Sequence, residues 1–483
     1  MNQLLKKIKA IPKGVKSAVV YIASSVVTRG LAIITVPIFT RLMTTDQIGT
    51  VNLYNSWYSL ISAFATLSLT SGGFAVAMKE YANKRDEYVS SVLTLTSIIA
   101  ILIAIIYAVE PTLWQKVLGL PNVLIVLMLI GFLVAPARDF WLARQRYEYK
   151  YKLAGTVSIL TAIIASVVSV FAVLYSEKKA VTDVAVWRLI ANYSVIYGVA
   201  AVIWIYIILK GRKLYSKEYW KISLAISIPL VGYNIAGQIL NVSDRMMIKN
   251  MVNNSAVGIY STLYTVSSLS LMVWQAINAA FVPYLFQNID KEKHDIKRIS
   301  NLLMGMYAIL ALILTYFAPE VVKILATEEY YEAIYIMPPI AAGVFFTSFA
   351  NLYSNIAIYY RKTKYVVYPT VIAACVNLIL NYIFIKIYGY MAAAYTTLIS
   401  YIVLAILQVM WSNEICKGNG KSINNIYDNK KLLLLAIVTT VASLMGILLY
   451  SHTLARYAVL IICAGVALMA AKRVYRSGIM KKR

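Results

Sequence analysis

The sequence predicts an all-α polytopic membrane protein of 14 transmembrane helices, built as two parallel repeats, and three observations carry that prediction. The chain is 60% hydrophobic and only 14% charged, with a mean hydropathy of +0.71. A soluble protein carries about 25% charged residues. Apolar runs of about 20 residues, enough to cross ~30 Å of hydrocarbon, recur between short charged stretches. Basic residues then alternate in density from one loop to the next.

The first run, about 18–40, follows "LLKKIKAIPKGVKS" and lacks a small-residue cleavage site, so it predicts a retained helix rather than a removed signal peptide. Spans at about 48–73, 89–109, 121–143, 153–175 and 182–208 complete a first group of six. A second six lie at about 219–243, 256–286, 299–318, 333–359, 365–385 and 390–411. Pro338 and Pro339 predict a late start or a bend in the span at 333–359. The Gly/Asn-rich loop "CKGNGKSINNIYDNKK" precedes a final pair at about 431–450 and 453–471. The expected division is therefore residues 1–208, residues 209–411, a cytosolic linker at 412–430, and two additional helices with a basic tail at 431–483. No soluble domain fits between the spans.

Loop charge tests the count. With 14 spans, 35 of the 46 Lys and Arg residues fall on the side that holds both termini, and 9 fall on the other. Arg29 and Arg188 lie within spans. The positive-inside rule then places both termini in the cytosol. A missed helix would invert every later loop and destroy the alternation. The formal charge of +26 follows from basic flanks that orient helices and attract anionic membrane lipids. These residues are scattered over eight short segments, which argues against a nucleic-acid-binding face. Cys375, Cys416 and Cys463 are isolated, and His294 and His452 are the only histidines. No disulfide framework, metal centre, histidine triad or G-x-x-x-x-G-K-[ST] loop is predicted, and no cofactor.

The halves echo one another. A shift of 209 residues aligns "IGTVNLYNSWYSL" from Ile48 with "VGIYSTLYTVSSL" from Val257. A looser echo links "RQRYEYKYKLAGTVSIL" from Arg144 with "YRKTKYVVYPTVIAACV" from Tyr360. Six helices separate equivalent spans, so the copies share one orientation, a design used by alternating-access transporters.

Several helices carry a polar stripe at three- and four-residue spacing, which places its members on one face. The second span has Asn52, Asn55, Ser59, Ser62 and Thr66, and the seventh has Asn234, Gln238 and Asn241. The eighth has Ser261, Thr265, Ser268 and Gln275, and the first a shorter version in Ser25, Thr28 and Arg29. Gln238 is the 209-residue partner of Arg29. These faces predict a central polar cleft flanked by the first, second, seventh and eighth helices; the alternative is hydrogen bonding between neighbouring helices. Arg29 lies about 16 Å beyond the start of its span, too deep to snorkel to a headgroup layer. It should face the cleft, where its planar fork suits phosphate oxygens, or else bond helix carbonyls. Arg188 is shallow enough for structural placement. Arg138 and Asp139 are candidates for the cleft entrance. Arg41, Asp244 and Arg245 either form an outer rim or brace the loops. Pro37, Pro136, Pro229, Pro283 and Pro369 fall where they kink helices.

The stretch "AIITVPIFTRLMTTDQIGTVNLYNSWYSLIS" from Ala32, with Pro37, Arg41–Leu42, Thr45–Asp46, Gly49 and Tyr54, resembles the start of bacterial polysaccharide-export flippases of the multidrug/oligosaccharidyl-lipid/polysaccharide superfamily. "NVSDRMMIKNMVNNSAVGIYS" resembles the same family through Asp244–Arg245 and Val257–Tyr260. The resemblance implies a V-shaped central cavity between two six-helix lobes, plus two C-terminal helices, in the bacterial cytoplasmic membrane. It implies a functional monomer that turns undecaprenyl-pyrophosphate-linked repeat units outward for O-antigen or capsule synthesis, with glycosyltransferases and a polymerase of the pathway as candidate partners. A lipid II or spore-wall precursor flippase and a cation-coupled multidrug exporter are the alternatives within the superfamily. An enzyme is not expected, because no large external catalytic loop is present.

Overall fold

The computed structural model describes residues 13–70, 73–179, 183–291 and 294–476, and these are almost entirely helical. The basic N-terminal flank at 1–12, the tail at 477–483 and the side chain of Arg29 lie outside the described residues. The chain divides into two compact units, Met1–Val242 and Ser243–Arg483.

The first unit holds α1 (Lys13–Leu42), α2 (Thr45–Ala65), α3 (Gly73–Glu80), α4 (Arg85–Val109) and α5 (Pro111–Leu118). It continues with α6 (Asn122–Tyr147), α7 (Tyr151–Lys178), α8 (Val184–Gly211) and most of α9 (Lys217–Met251). The helix α9 bends by 45° between Ile228 and Leu230. The residue between them is Pro229, and a proline lacks the backbone donor that an unbroken helix uses at that position. The second unit holds α10 (Asn254–Ser267), α11 (Ser270–Asn288), α12 (His294–Tyr316), α13 (Ala318–Leu325) and α14 (Met337–Tyr359). There follow α15 (Lys364–Tyr388), α16 (Ala392–Lys417), α17 (Ile423–Ile426), α18 (Asn429–Met445) and α19 (Thr453–Arg476). As Pro338 and Pro339 predict, α14 begins late, after a 3₁₀ segment at Glu328–Ile336.

Among the described residues, 11 helices are long and apolar enough to cross a membrane, or 12 if the bent α9 is one span. Two of the 14 expected spans fall outside that set. In α2 the polar stripe lowers the hydropathy of an otherwise sufficient length, and in α19 the apolar stretch Thr453–Met469 is short.

The repeat is visible inside each unit. Thr44 and Gln47 form a reciprocal capping box at the start of α2, with Asp46 in the first turn, where an acid complements the helix dipole. Asn253, 209 residues on, caps α10 by accepting from the Ala256 amide at 2.8 Å. In the first unit α8 packs on α6 and α7, and in the second α16 packs on α14 and α15. Both α6 and α14 end in a left-handed residue, Tyr149 (φ 55°) and Arg361 (φ 56°). The next amide then reaches back to close the helix, Lys150 to the Gln145 carbonyl and Lys362 to the Ala357 carbonyl, each at 2.9 Å. These equivalent turns lie 212 residues apart.

Loop residues expected on one side of the membrane meet at one end of the first unit. Arg144 bonds both Asp86 and Glu148, Lys150 reaches Glu148 at 2.6 Å, and Lys210 and Lys213 approach Asp86 and Glu87. Burial opposes ionisation of Glu148, but Lys150 and Arg144 outweigh it and hold the carboxyl below its usual range. In the second unit Lys421 pairs with Asp290 at 2.6 Å, and Arg456 pairs with Glu320 on a different set of loops.

Close packing beside the first cluster depends on Gly211. A Cβ there would lie 2.3 Å from the Asp86 carbonyl oxygen and from Ser90 Cβ. Backbone cannot rotate away as a side chain can, so Gly211→Ala should force α4 from α8 and cost about 1–3 kcal/mol. A fall in the detergent melting temperature, with Gly198→Ala unchanged, is the expected result; nothing lies within 4 Å of a Cβ at Gly198.

Candidate functional site

The polar face of α2 is the centre of the candidate site. Ser59 donates to the Gln238 side chain at 2.6 Å, which ties α2 directly to α9. One turn earlier on α9, Asn234 donates to Ser68 at 2.7 Å. Ser68 and its neighbour Leu67 are both left-handed, a backbone state that costs of order 1–3 kcal/mol for such residues. The Asn234 amide thus clamps the strained turn that ends α2. Asn55, one turn before Ser59 and exposed, accepts from the Tyr193 hydroxyl on α8 at 2.8 Å. Asn52 and Asn241 donate back to their own helices, at the Ile48 and Gly237 carbonyls.

A tyrosine cluster backs this face. Tyr54 and Tyr58 of α2 pack against Tyr193 and Tyr197 of α8 with centroid separations of 5.0–6.5 Å across the group, and Tyr58 stacks on Phe132 at 5.3 Å. The Tyr54 and Tyr197 hydroxyls share a hydrogen bond at 3.3 Å. Gly131 of α6 makes room, since a Cβ there would lie 2.2 Å from the Tyr197 hydroxyl. This cluster lies outside the sequence-predicted site residues. Its signal was present as two Tyr pairs, each at four-residue spacing, in a chain with 38 tyrosines. Tyr54 and Tyr197 are buried inside the cluster, whereas the exposed Asn55 and the half-buried Tyr58, Ser59, Tyr193 and Gln238 offer donors, acceptors and ring surface of the kind that recognise polyhydroxylated groups.

The remaining candidates divide. Ser25 and Arg138 line a cavity of about 310 Å³ between α1, α6, α7 and α8. Asp139 is exposed beside it. Arg41 bonds the Pro37 carbonyl at 2.8 Å at the end of α1. Nearby, Arg188 lies over the Phe39 ring at 3.5 Å, which accords with structural placement. In the second unit Ser268 donates to the Thr265 carbonyl at the break between α10 and α11, and Gln275 is exposed on α11.

Asp244 and Arg245 are buried, 2% and 9% exposed. Asp244 accepts from the Tyr260 hydroxyl at 2.6 Å and lies 3.5 Å from an Arg245 nitrogen. The Arg245 guanidinium stacks over Tyr264, whose hydroxyl meets that of Tyr401 at 3.2 Å. These contacts join α9, α10 and α16 inside the second unit, as a brace would.

Long apolar helices, interrupted by polar faces and repeated with the same internal packing, define a polytopic membrane protein. The family model described as "Polysaccharide biosynthesis protein" matches residues 15–289, and a MatE model matches residues 229–383. The chain belongs to the polysaccharide biosynthesis protein family. No curated protein sequence matches it.

Its fold is similar to that of a structure titled lipid II flippase MurJ, with a TM-score of 0.66 at 15% identity, covering 96% of this chain and 100% of that one. A multidrug resistance MATE family transporter of the MOP superfamily gives 0.60 at 14% identity, covering 80% of this chain and 93% of the other. A MOP superfamily transporter from Pyrococcus furiosus, whose title describes a binding pocket of reversed polarity, gives 0.54 at 13% identity over 82% and 95%.

Proposed function

We propose that the protein is a flippase that carries undecaprenyl-pyrophosphate-linked oligosaccharide repeat units from the cytosolic to the outer leaflet for surface polysaccharide synthesis. The observation that carries this reading is the polar and aromatic face of α2, joined to α9 through Ser59 and Gln238, in a chain of the polysaccharide biosynthesis family. Fourteen crossings, cytosolic termini and a bacterial cytoplasmic membrane location belong to the same reading. Substrate interacts differently with inward- and outward-open states and so shifts their populations. An ion gradient, the membrane potential or substrate consumption supplies the driving force. The fold shared with a structure titled lipid II flippase, over nearly the full length of both chains, favours a wall-precursor lipid as the second reading.

Depleting the protein in its host should cause lipid-linked repeat units to accumulate in the cytosolic leaflet while synthesis continues. If lipid II accumulates instead, the second reading replaces the first. Substituting Asn52, Asn55, Gln238 or Asn241 with Leu should impair export about tenfold, the scale of one lost polar contact to a desolvated ligand. Single cysteines at these positions should react with a water-soluble thiol reagent, whereas lipid-facing controls should not. Equal protection of both sets would refute the cleft.

A further inference from the structure

The cavity of about 310 Å³ inside the first unit contains a charge arrangement that the α2 face does not use. Two cations line it, Arg138 and Arg146 of α6, together with Ser24, Ser25 and Thr28 of α1 and Ser158 of α7. The two arginines are eight residues apart, about 12 Å along the helix and within one broad face. The Nε of Arg138 is buried and has no hydrogen-bond partner, whereas buried donors are nearly always satisfied. The Nε of Arg146 reaches only the Leu142 carbonyl, at 3.4 Å. Asp139 is exposed beside them; it forms no ion pair with either arginine among the described residues, but both guanidinium charges act on its carboxylate, so one acid partly offsets the two cations. The nearby Glu148 is already engaged by Arg144 and Lys150.

Ser24 and Thr28 donate to the Val20 and Ser25 carbonyls, so their oxygens present lone pairs. The donors lining the space are the two guanidinium groups and the Ser25 and Ser158 hydroxyls, a set suited to an anion with several oxygens. The volume far exceeds the ~10–15 Å³ that one water needs by the same measure. Gly155 of α7 keeps the wall close, because a Cβ there would lie 2.9 Å from Ser24 Oγ.

We infer that this cavity binds the phosphate or diphosphate headgroup of a lipid, with Arg138 and Arg146 gripping it from two levels of α6. The inference rests on the flippase reading for its choice of a lipid as the bearer of the phosphate. Arg146 lies in the last turn of α6, beside the ion-pair cluster, and Arg138 about two turns deeper. A headgroup is therefore received first at the charged end of the unit and held further in. The bearer is either the lipid-linked substrate or an anionic bilayer lipid, because both present the same oxygens.

The test uses full-length protein in detergent, with binding of undecaprenyl diphosphate, phosphatidylglycerol and uncharged undecaprenol measured by native mass spectrometry. Arg138→Gln should weaken undecaprenyl diphosphate binding about tenfold and the double variant with Arg146→Gln about a hundredfold, as expected for charge-assisted bonds. Undecaprenol binding and the Lys179→Gln control should not change. Phosphatidylglycerol bound as tightly as the diphosphate, and lost in the same variants, would support the site and assign it to bilayer lipid. Ser158→Phe fills the cavity with both arginines intact and should also weaken binding, which covers the case of a double variant that does not fold. Wild-type affinity for both phospholipids in the double variant, or in Ser158→Phe protein, overturns the inference. Lipid transport by the wild type is scored separately: its absence would remove the flippase reading, whereas transport with unchanged binding in the variants would remove only this site.

Discussion

Arg29→Ala protein is expected to insert and accumulate normally yet to export almost no glycan. A permanent charge just past the middle of a 30-residue helix cannot snorkel easily to either headgroup layer, so lipid exposure would cost several kcal/mol. A polar cleft removes that cost and gives the guanidinium a role. Loss of a desolvated, charge-assisted contact is worth about 1.5–3 kcal/mol, or roughly ten- to a hundredfold in rate. Arg29→Lys keeps the charge but loses the planar fork, so export should fall only in part. Arg29→Glu should be worse than Ala, because it places repulsion beside an anionic substrate. A structural arginine bonded to helix carbonyls predicts something different: abundance and detergent stability would fall in step with export. Measuring export, membrane abundance and substrate binding in the same three variants separates the two roles.

Asp244→Ala should have the opposite signature, with stability lost first and export lost as a consequence. The carboxylate is buried, accepts from Tyr260 and faces Arg245. Its removal strands a buried guanidinium, and breaking one partner of such a pair costs about 3–5 kcal/mol. The melting temperature and abundance should fall sharply. Replacing both charges, as Asp244→Leu with Arg245→Met, should recover most of the stability, because no unpaired charge then remains. Normal stability of Asp244→Ala with impaired export would instead make this pair part of the transport path.

The features legible in the sequence were those with a local chemical signature. The motif "TTDQIG" is a helix start, and its capping box at Thr44 and Gln47 has a counterpart in Asn253 at the shift that aligns the repeats. Pro338 and Pro339 delay α14, and the bend in α9 falls at Pro229. The second echo was legible only in outline. Aligning Arg144 with Tyr360 implies a shift of 216 residues, whereas the equivalent helix-ending turns lie 212 apart. The left-handed residues there are Tyr149 and Arg361 rather than glycines, so nothing in the side chains marked the register. Polar spacing along α2 and α9 found Ser59 and Gln238 but not their direct bond, since pairing between helices depends on rotation and depth as well as period. The cavity around Arg138 was hidden for a similar reason. Arg146 lay outside the predicted span, and Ser24, Ser158 and the tyrosine pairs each looked like ordinary helix surface.

Reconstitution reads out movement of a lipid-linked glycan across a membrane without the rest of the cell. Purified protein in sealed vesicles, with labelled lipid-linked oligosaccharide in one leaflet, would be followed under imposed ion gradients and membrane potential. Protein-dependent appearance of the glycan in the opposite leaflet is expected, abolished by Arg29→Ala and retained by the surface variant Lys179→Gln. No movement of the lipid-linked oligosaccharide by folded wild-type protein under any imposed gradient or potential would contradict the flippase reading.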